Sequence, residues 1–221
     1  MIKEKTNEKI QKLLIESVNL QKSGRLDELE KVLREITNID SNYHPALFNL
    51  GRLSEKKKKY IKAIKFYKKT LKINPAHLDS MINLANCYED INELDKAVKV
   101  LDKVCKLYPD KYEVHFSLAR LCHIKKKDFD KAYKAYKKTL FIKNNFKLAK
   151  MGLGEIYKFK GNFNEAKKTF QGIIDSNRNE IGAYYEIADF LDDKEIKKNI
   201  KNLEILENDN KQKDGNKIYL Y

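Results

Sequence analysis

The sequence has no tryptophan, no long apolar run and no paired cysteines, and each absence excludes something. Its three cysteines, Cys87, Cys105 and Cys122, are odd in number and lack the spacing of a zinc site. All three lie on apolar stripes, where a free thiol behaves as a small packed hydrophobe. The four histidines, His44, His77, His115 and His123, form no ligand pair, because Cys122 and His123 are sequence neighbours whose side chains diverge on a helix. No metal and no cofactor are therefore expected. There is no glycine-rich phosphate loop, no Ser/His/Asp or Cys/His set at an instructive spacing and no cluster of inward carboxylates, so no enzymatic activity is expected within these residues. Asp192-Asp193 reads as a turn at a helix end. No segment approaches the ~18–20 apolar residues that a membrane span requires. The N-terminal MIKEKTNEKIQK carries acidic residues and no apolar centre, unlike a secretory leader. A cytoplasmic location is the expectation, with no membrane partner.

What the sequence does contain is a repeat. Residues 44–75, HPALFNLGRLSEKKKKYIKAIKFYKKTLKINP, read as two amphipathic helices joined by a lysine-rich turn. Small residues recur at Gly51, Ala85, Ala119, Gly154 and Ala188, in steps of 34, 34, 35 and 34. A second small set stands at Ala63, Ala97, Ala132 and Ala166. Each of these is preceded by three places by Tyr60, Leu94, Phe129 or Phe163 and followed by four by Tyr67, Leu101, Tyr136 or Phe170. A fixed period of this length in a helical pattern reads as a solenoid of helix–turn–helix units. The small residues let helices approach closely and the large ones fill the spaces between them. A helix of about a dozen residues is marginal alone in water, so stability has to come from stacking. Burying large side chains contributes ~1.5–3 kcal/mol each, against a large loss of conformational entropy.

These residues resemble the tetratricopeptide repeat. Leu50-Gly51, Tyr60, Ala63, Tyr67 and Pro75 carry the likeness in one unit, and Leu84-Ala85, Tyr88, Ala97 and Pro109 in the next. The likeness covers about residues 10–207. Departures are the missing tryptophan, Asn144 and Arg178 where proline is usual, and one extra residue in the Lys125–Asp128 turn. The resemblance implies an all-α fold, a right-handed superhelical solenoid of antiparallel helix–turn–helix repeats.

Residues 1–9 read as a charged lead-in that extends the first helix. The array spans residues 10–207, in units of about 10–43, 44–77, 78–111, 112–146 and 147–180 with a partial unit at 181–207. Residues 208–217 read as a polar linker. Ile218-Tyr219-Leu220-Tyr221 then turns apolar, either opening a further helix or forming a tail folded back on the last one. Gly24 suits a left-handed turn, and Asp27 with Glu30 suggests a capping box. Asp95, Asp130 and Asn164 stand in the equivalent place as N-caps, which Ile61 cannot match.

In the resembled family the first helices line a concave surface that binds a peptide or helix. This implies a partner-binding face of Phe48, Asn49, Arg52 and Glu55, then Ile82, Asn83, Asn86 and Glu89. It continues through Phe116, Ser117, Arg120 and His123 to Met151, Gly152, Glu155 and Lys158, and ends at Tyr185, Glu186 and Asp189. Asn49 and Asn83 share one position, similar to the asparagine ladder of O-linked N-acetylglucosamine transferases. A carboxamide there both donates to and accepts from a peptide backbone, although the ladder lapses at Ser117 and Gly152, and a plain exposed filler is the competing reading. Phe48, Ile82, Phe116, Met151 and Tyr185 form an apolar stripe, a groove if exposed and helix packing if buried. The set that grips a C-terminal carboxylate in chaperone-binding members is incomplete, with Ser117 and Ile82 in place of asparagine and lysine.

The net charge of +14 gathers in Lys56–Lys59 and Lys125–Lys127, and on second helices at Lys65, Lys68, Lys69, Lys72, Lys134, Lys137 and Lys138. A basic edge could meet nucleic acid or acidic protein. Such runs are usually a solvated face, no RNA-reading motif is present, and nucleic acid is not the expected partner. The expected function is a protein–protein interaction scaffold. The alternative is the substrate-recruiting repeat region of a larger transferase, of sulfotransferase or glycosyltransferase type, since NLEILENDN…KIYLY resembles the junction before the last repeat in bacterial repeat-containing sulfotransferases. A nucleic-acid-binding helical repeat is the third reading.

Overall fold

The computed structural model describes residues 2–214, with side chains from residue 6 to residue 205. The described residues form helices and no strands. They run α1 (Ile2–Lys22), α2 (Leu26–Ile39), α3 (His44–Lys56), α4 (Tyr60–Ile73), α5 (Leu78–Asp90) and α6 (Leu94–Leu107), then α7 (Tyr112–Arg120), α8 (Phe129–Ile142), α9 (Lys147–Phe159), α10 (Phe163–Ser176), α11 (Ile181–Ala188) and α12 (Asp193–Asp214). Odd and even helices alternate as the two arms of successive hairpins, as the period requires. The chain divides into two compact units, Met1–Val114 and His115–Tyr221, with the boundary inside α7.

Each second helix from α2 to α10 buries one face, and the positions recur in a common register. In the first unit α2 buries Leu29, Val32, Leu33 and Ile36, α4 buries Ala63, Ile64, Tyr67 and Thr70, and α6 buries Ala97, Val98, Leu101 and Val104. In the second unit α8 buries Ala132, Ala135, Tyr136 and Thr139, and α10 buries Ala166, Phe170, Ile173 and Ile174. This spacing of three and four residues is the apolar stripe of a helix packed on one side. Thr70 and Thr139 are fully buried because each hydroxyl donates to a carbonyl one turn back, that of Phe66 at 3.2 Å and of Ala135 at 2.9 Å.

The small residues have a definite task, which is to make room for rings. A Cβ on Gly51 would lie 2.5 Å from Tyr67 Cε1, and one on Gly154 would lie 2.5 Å from Phe170 Cε1. Tyr136 leans the other way. Its hydroxyl would lie 2.5 Å from a Cβ on Gly152 of the following helix. Each of these three rings is thus seated on one glycine. Ala188 does not join the pattern. It is exposed, because α11 stops there and Glu204, not a ring, stands sixteen residues on.

The turns inside the first five hairpins share a left-handed residue at Gly24, Lys58, Asn92, Lys127 and Gly161, with φ between 56° and 74°. It lets the last turn close on its own carbonyls, as when Lys58 N–H donates to Glu55 O and Lys59 N–H to Ser54 O, at 2.7 and 2.8 Å. Only glycine adopts this conformation without strain, and an L side chain there costs about 1–2 kcal/mol. Lys58→Gly and Lys127→Gly are therefore each expected to raise the melting temperature, a gain of about 1 kcal/mol that calorimetry would resolve.

Several expectations are corrected. Asp27, Asp95, Asp130 and Asn164 lie one place inside their helices, because Leu26, Leu94, Phe129 and Phe163 are already helical. Asp27 instead reaches Lys57 of the next hairpin at 2.7 Å, and Asp130 pairs with Lys160. Glu30 is no capping-box partner either. It accepts from Lys62, Lys57 and Arg34 at 2.8, 2.9 and 2.8 Å, and these three cations hold its carboxyl far below the usual range. The cap of α8 is Asp128, accepting from Lys131 N–H at 3.1 Å. The extra residue is absorbed within the helix, not in the turn: Leu121–Lys126 winds as a π-helix continuing α7. The polar stretch read as a linker is helical through Asp214, since no glycine or proline interrupts residues 193–214. The apolar ending at 218–221 lies outside the described residues.

Candidate functional site

The first unit holds a cavity of about 540 Å³ on the inner side of its first helices. Asn49, Arg52 and Glu55 of α3 line it, with Asn83 and Asp90 of α5. These positions fall together because residues three and four apart share a helix face and the repeat places the next helix in the same register. Gln21, Lys56, Lys58 and Tyr60 add to the wall, and Leu26, Leu29 and Leu53 complete it. Three cations (Arg52, Lys56 and Lys58) and two carboxylates (Glu55 and Asp90) thus surround one opening, among amides that donate and accept.

Two of the lining residues, Glu55 and Asn83, are held by Tyr67. Its buried hydroxyl donates to Glu55 Oε2 at 2.6 Å and accepts from Asn83 Nδ2 at 3.3 Å. Burial raises the phenol's pKa strongly, and the Glu55 carboxylate adds to it, so the group stays a protonated donor. Asn83 is therefore already engaged through its amide nitrogen. Asn49 lines the cavity and has no hydrogen-bond partner among the described residues. Arg52 is exposed and holds its guanidinium 5.9 Å from the Phe48 ring centroid.

Of the residues implied by resemblance, the structure brings Asn49, Arg52, Glu55 and Asn83 into one cavity. Asn86 is exposed and Glu89 half-buried, and neither lines it. The apolar stripe is largely packing. Phe48 lies against His77 and Tyr67, at 4.8 and 6.0 Å between ring centroids, and Ile82 packs on the cluster of Met81, Val104 and Val114. In the second unit Phe116 meets Phe146 edge-on at 4.9 Å, and Met151 packs on the cluster around Phe170 and Tyr184. Only Tyr185 is well exposed, at 63%. Arg120 is half-buried and has a partner.

Glu155 belongs to a separate polar group in the second unit. His123 Nδ1, in the π-helical turn, lies 3.4 Å from Tyr136 Oη and 3.7 Å from Glu155 Oε2. Burial lowers the His123 pKa, with Lys127 adding to it, while burial and the nearby Glu186 raise that of Glu155. Lys158 pairs with Asp189 at 2.7 Å and Glu186 at 3.3 Å. His123 thus takes at Tyr136 the place that Glu55 takes at Tyr67. Both are four residues beyond a small residue of the first helix. That coincidence was available in the sequence. What the sequence hid was the role of Lys56, Lys58, Tyr60 and Asp90, which depends on where the hairpin turn bends.

Residues 54–121 match one tetratricopeptide repeat family model and residues 149–180 match another, so the chain carries tetratricopeptide repeats. Hsp70-Hsp90 organizing protein 3 of Arabidopsis thaliana is 28% identical over 136 residues, covering 60% of this chain and 24% of the relative. Protein O-mannosyl-transferase TMTC3 of Mus musculus is 22% identical over 154 residues, covering 63% and 17%. The chain thus spans less than a quarter of these curated relatives. Among solved structures, MamA superposes with a TM-score of 0.71 at 22% identity, covering 80% of this chain and 96% of that one. YrrB, described as a TPR protein with an unusual peptide-binding site, gives 0.66 at 18% identity, covering 79% and 89%. At such identities the likeness concerns the fold.

Proposed function

We propose that this chain is a protein–protein interaction scaffold whose first unit binds a peptide segment of a partner in the cavity between α3 and α5. The observation that carries the reading is Asn49. Its carboxamide is uncommitted, next to Arg52 and beside an Asn83 fixed by Tyr67. An amide of this kind satisfies a peptide N–H and C=O together, and Arg52 supplies a charged donor for a carbonyl or carboxylate. The peptide-binding site named for YrrB and the organizing role named for the Arabidopsis relative point the same way. Among the described residues no helix is long and apolar enough to cross a membrane, and a cytoplasmic setting is part of this proposal.

Peptides selected on the intact chain from a displayed peptide library test the reading. Asn49→Ala with Arg52→Ala is expected to abolish binding of the selected peptides while circular dichroism shows the same helicity. Retained binding would place the site elsewhere.

A second reading is supported by the TMTC3 alignment: the repeats recruit substrate for a glycosyl-transfer activity carried by a longer polypeptide. A transferase segment in the same reading frame would favour it. The sulfotransferase context has no such support.

A further inference from the structure

Residues 56–78 contain nine lysines and no acidic residue. The structure separates these lysines into two groups. Lys57 and Lys62 are consumed by Asp27 and Glu30. Lys65, Lys68, Lys69 and Lys72, all exposed along two turns of α4, have no carboxylate partner among the described residues. They are three and four apart, so like charges meet on one helix face, an arrangement that destabilises a helix. Lys99, Lys103 and Lys106 repeat Lys65, Lys69 and Lys72 in the same register on α6, where Asp102 stands in the place of Lys68. Two of the other second helices, α2 and α10, are balanced differently. On α2 Glu30 pairs with Arg34 and Glu35 with Lys9, and on α10 Lys167 pairs with Glu195. On α8, Lys134 and Lys137 stand in the register of Lys65 and Lys68, also exposed and without a carboxylate partner among the described residues, so the unpaired row is a feature of α4, α6 and α8 and is absent from α2 and α10.

We infer that the outer face of α4, extended by α6, is an electrostatic docking surface for the phosphate backbone of duplex nucleic acid. The nature of the face selects the partner. Between Ile61 and Ile73 its exposed residues are all charged, because Ala63, Ile64, Tyr67 and Thr70 are turned into the core and Phe66 is half-buried, while Ile61, Ile73 and Leu107 of α6 are exposed at its ends. A peptide needs pockets for side chains to be held with any strength. A helix lying on a membrane needs a broad apolar face beside its basic one, and that face of α4 is buried in the core. Duplex nucleic acid needs neither, because its charge density condenses counterions whose release drives binding to lysines alone. With no exposed aromatic side chain in the row there is no base stacking, so the surface reads phosphate and not sequence. None of Lys65, Lys68, Lys69 and Lys72 lines the cavity proposed for peptide, so one function can fail without the other.

The test is fluorescence anisotropy of a short labelled duplex DNA titrated with the full chain at several salt concentrations. Binding is expected at low salt, falling linearly on logarithmic axes. The variant Lys65→Gln/Lys68→Gln/Lys69→Gln/Lys72→Gln is expected to flatten that slope by about 3 to 4, at ~0.9 per lost phosphate contact. Glutamine keeps nearly the same helix propensity, and circular dichroism checks the fold. The control changes Lys194, Lys197, Lys198 and Lys201 of α12, also exposed, to glutamine, giving the same net charge. An unchanged slope in the control supports the assignment. Equal flattening in both variants overturns it in favour of bulk charge. So does the absence of binding at low salt, or tighter binding to phosphatidylserine vesicles or to polyglutamate than to the duplex.

Discussion

Phe170→Ala is expected to lower stability by ~3–5 kcal/mol, read as a large fall in the urea midpoint of helix unfolding. Phe170 is fully buried in the cluster of Ile173, Ile174, Ala183, Tyr184 and Ile187. Its ring also occupies the space that a side chain at Gly154 would need. Few neighbours can collapse into the gap, because the glycine beneath the ring has nothing to extend. The same geometry sets a sharper test. In the native background Gly154→Ala should destabilise, since its Cβ would lie 2.5 Å from the ring. In the Phe170→Ala background the same change should stabilise, by up to about 1 kcal/mol from helix propensity alone. Effects of equal sign in the two backgrounds would show that the ring does not rest on Gly154.

Gly51→Ala is expected to be destabilising by ~1–3 kcal/mol through overpacking, although alanine is the better helix former. Tyr67 has no room to yield. Its ring is wholly buried, and its hydroxyl is held by Glu55 and Asn83. The equivalent pair on α5 and α6 is Ala85 with Leu101, both buried, so this chain already contains the alternative solution. Replacing Tyr67 by leucine should make Gly51→Ala nearly neutral, and a double-mutant cycle measures the difference. Because Glu55 and Asn83 also line the cavity, Gly51→Ala should weaken binding of the selected peptides as well. Loss of stability with unchanged peptide affinity would separate the Tyr67 network from the site.

The period of the small residues made the hairpins legible, because a 34-residue recurrence survives any local error in a helix boundary. Ala63, Ala97, Ala132 and Ala166 are all fully buried, as their spacing implied. Capping was misplaced by two residues because Asp27, Asp95, Asp130 and Asn164 are good caps by type, whereas the caps are Arg25, Glu93, Asp128 and Asn162. Their helices begin earlier, where the chain leaves a left-handed residue two or three places before. Lys58 and Lys127 concealed that residue, since neither advertises a positive φ as Gly24 and Gly161 do. The apolar stripe was ambiguous for a different reason. Phe48 and Phe116 occupy the same position as an exposed groove residue would, and only the aromatic neighbours His77 and Phe146 decide that they pack. The engagement of Asn83 by Tyr67 joins residues of different hairpins, beyond what spacing within a unit can reveal.

The seating of the rings bears on how such an array is assembled by recombination. A segment covering α9 and α10 brings Phe170 together with Gly154, so it could be duplicated or moved as a cassette. A cut after α8 would strand Tyr136, whose glycine arrives only with α9. Natural or engineered crossovers at that junction should survive only when the incoming helix supplies glycine at its sixth residue.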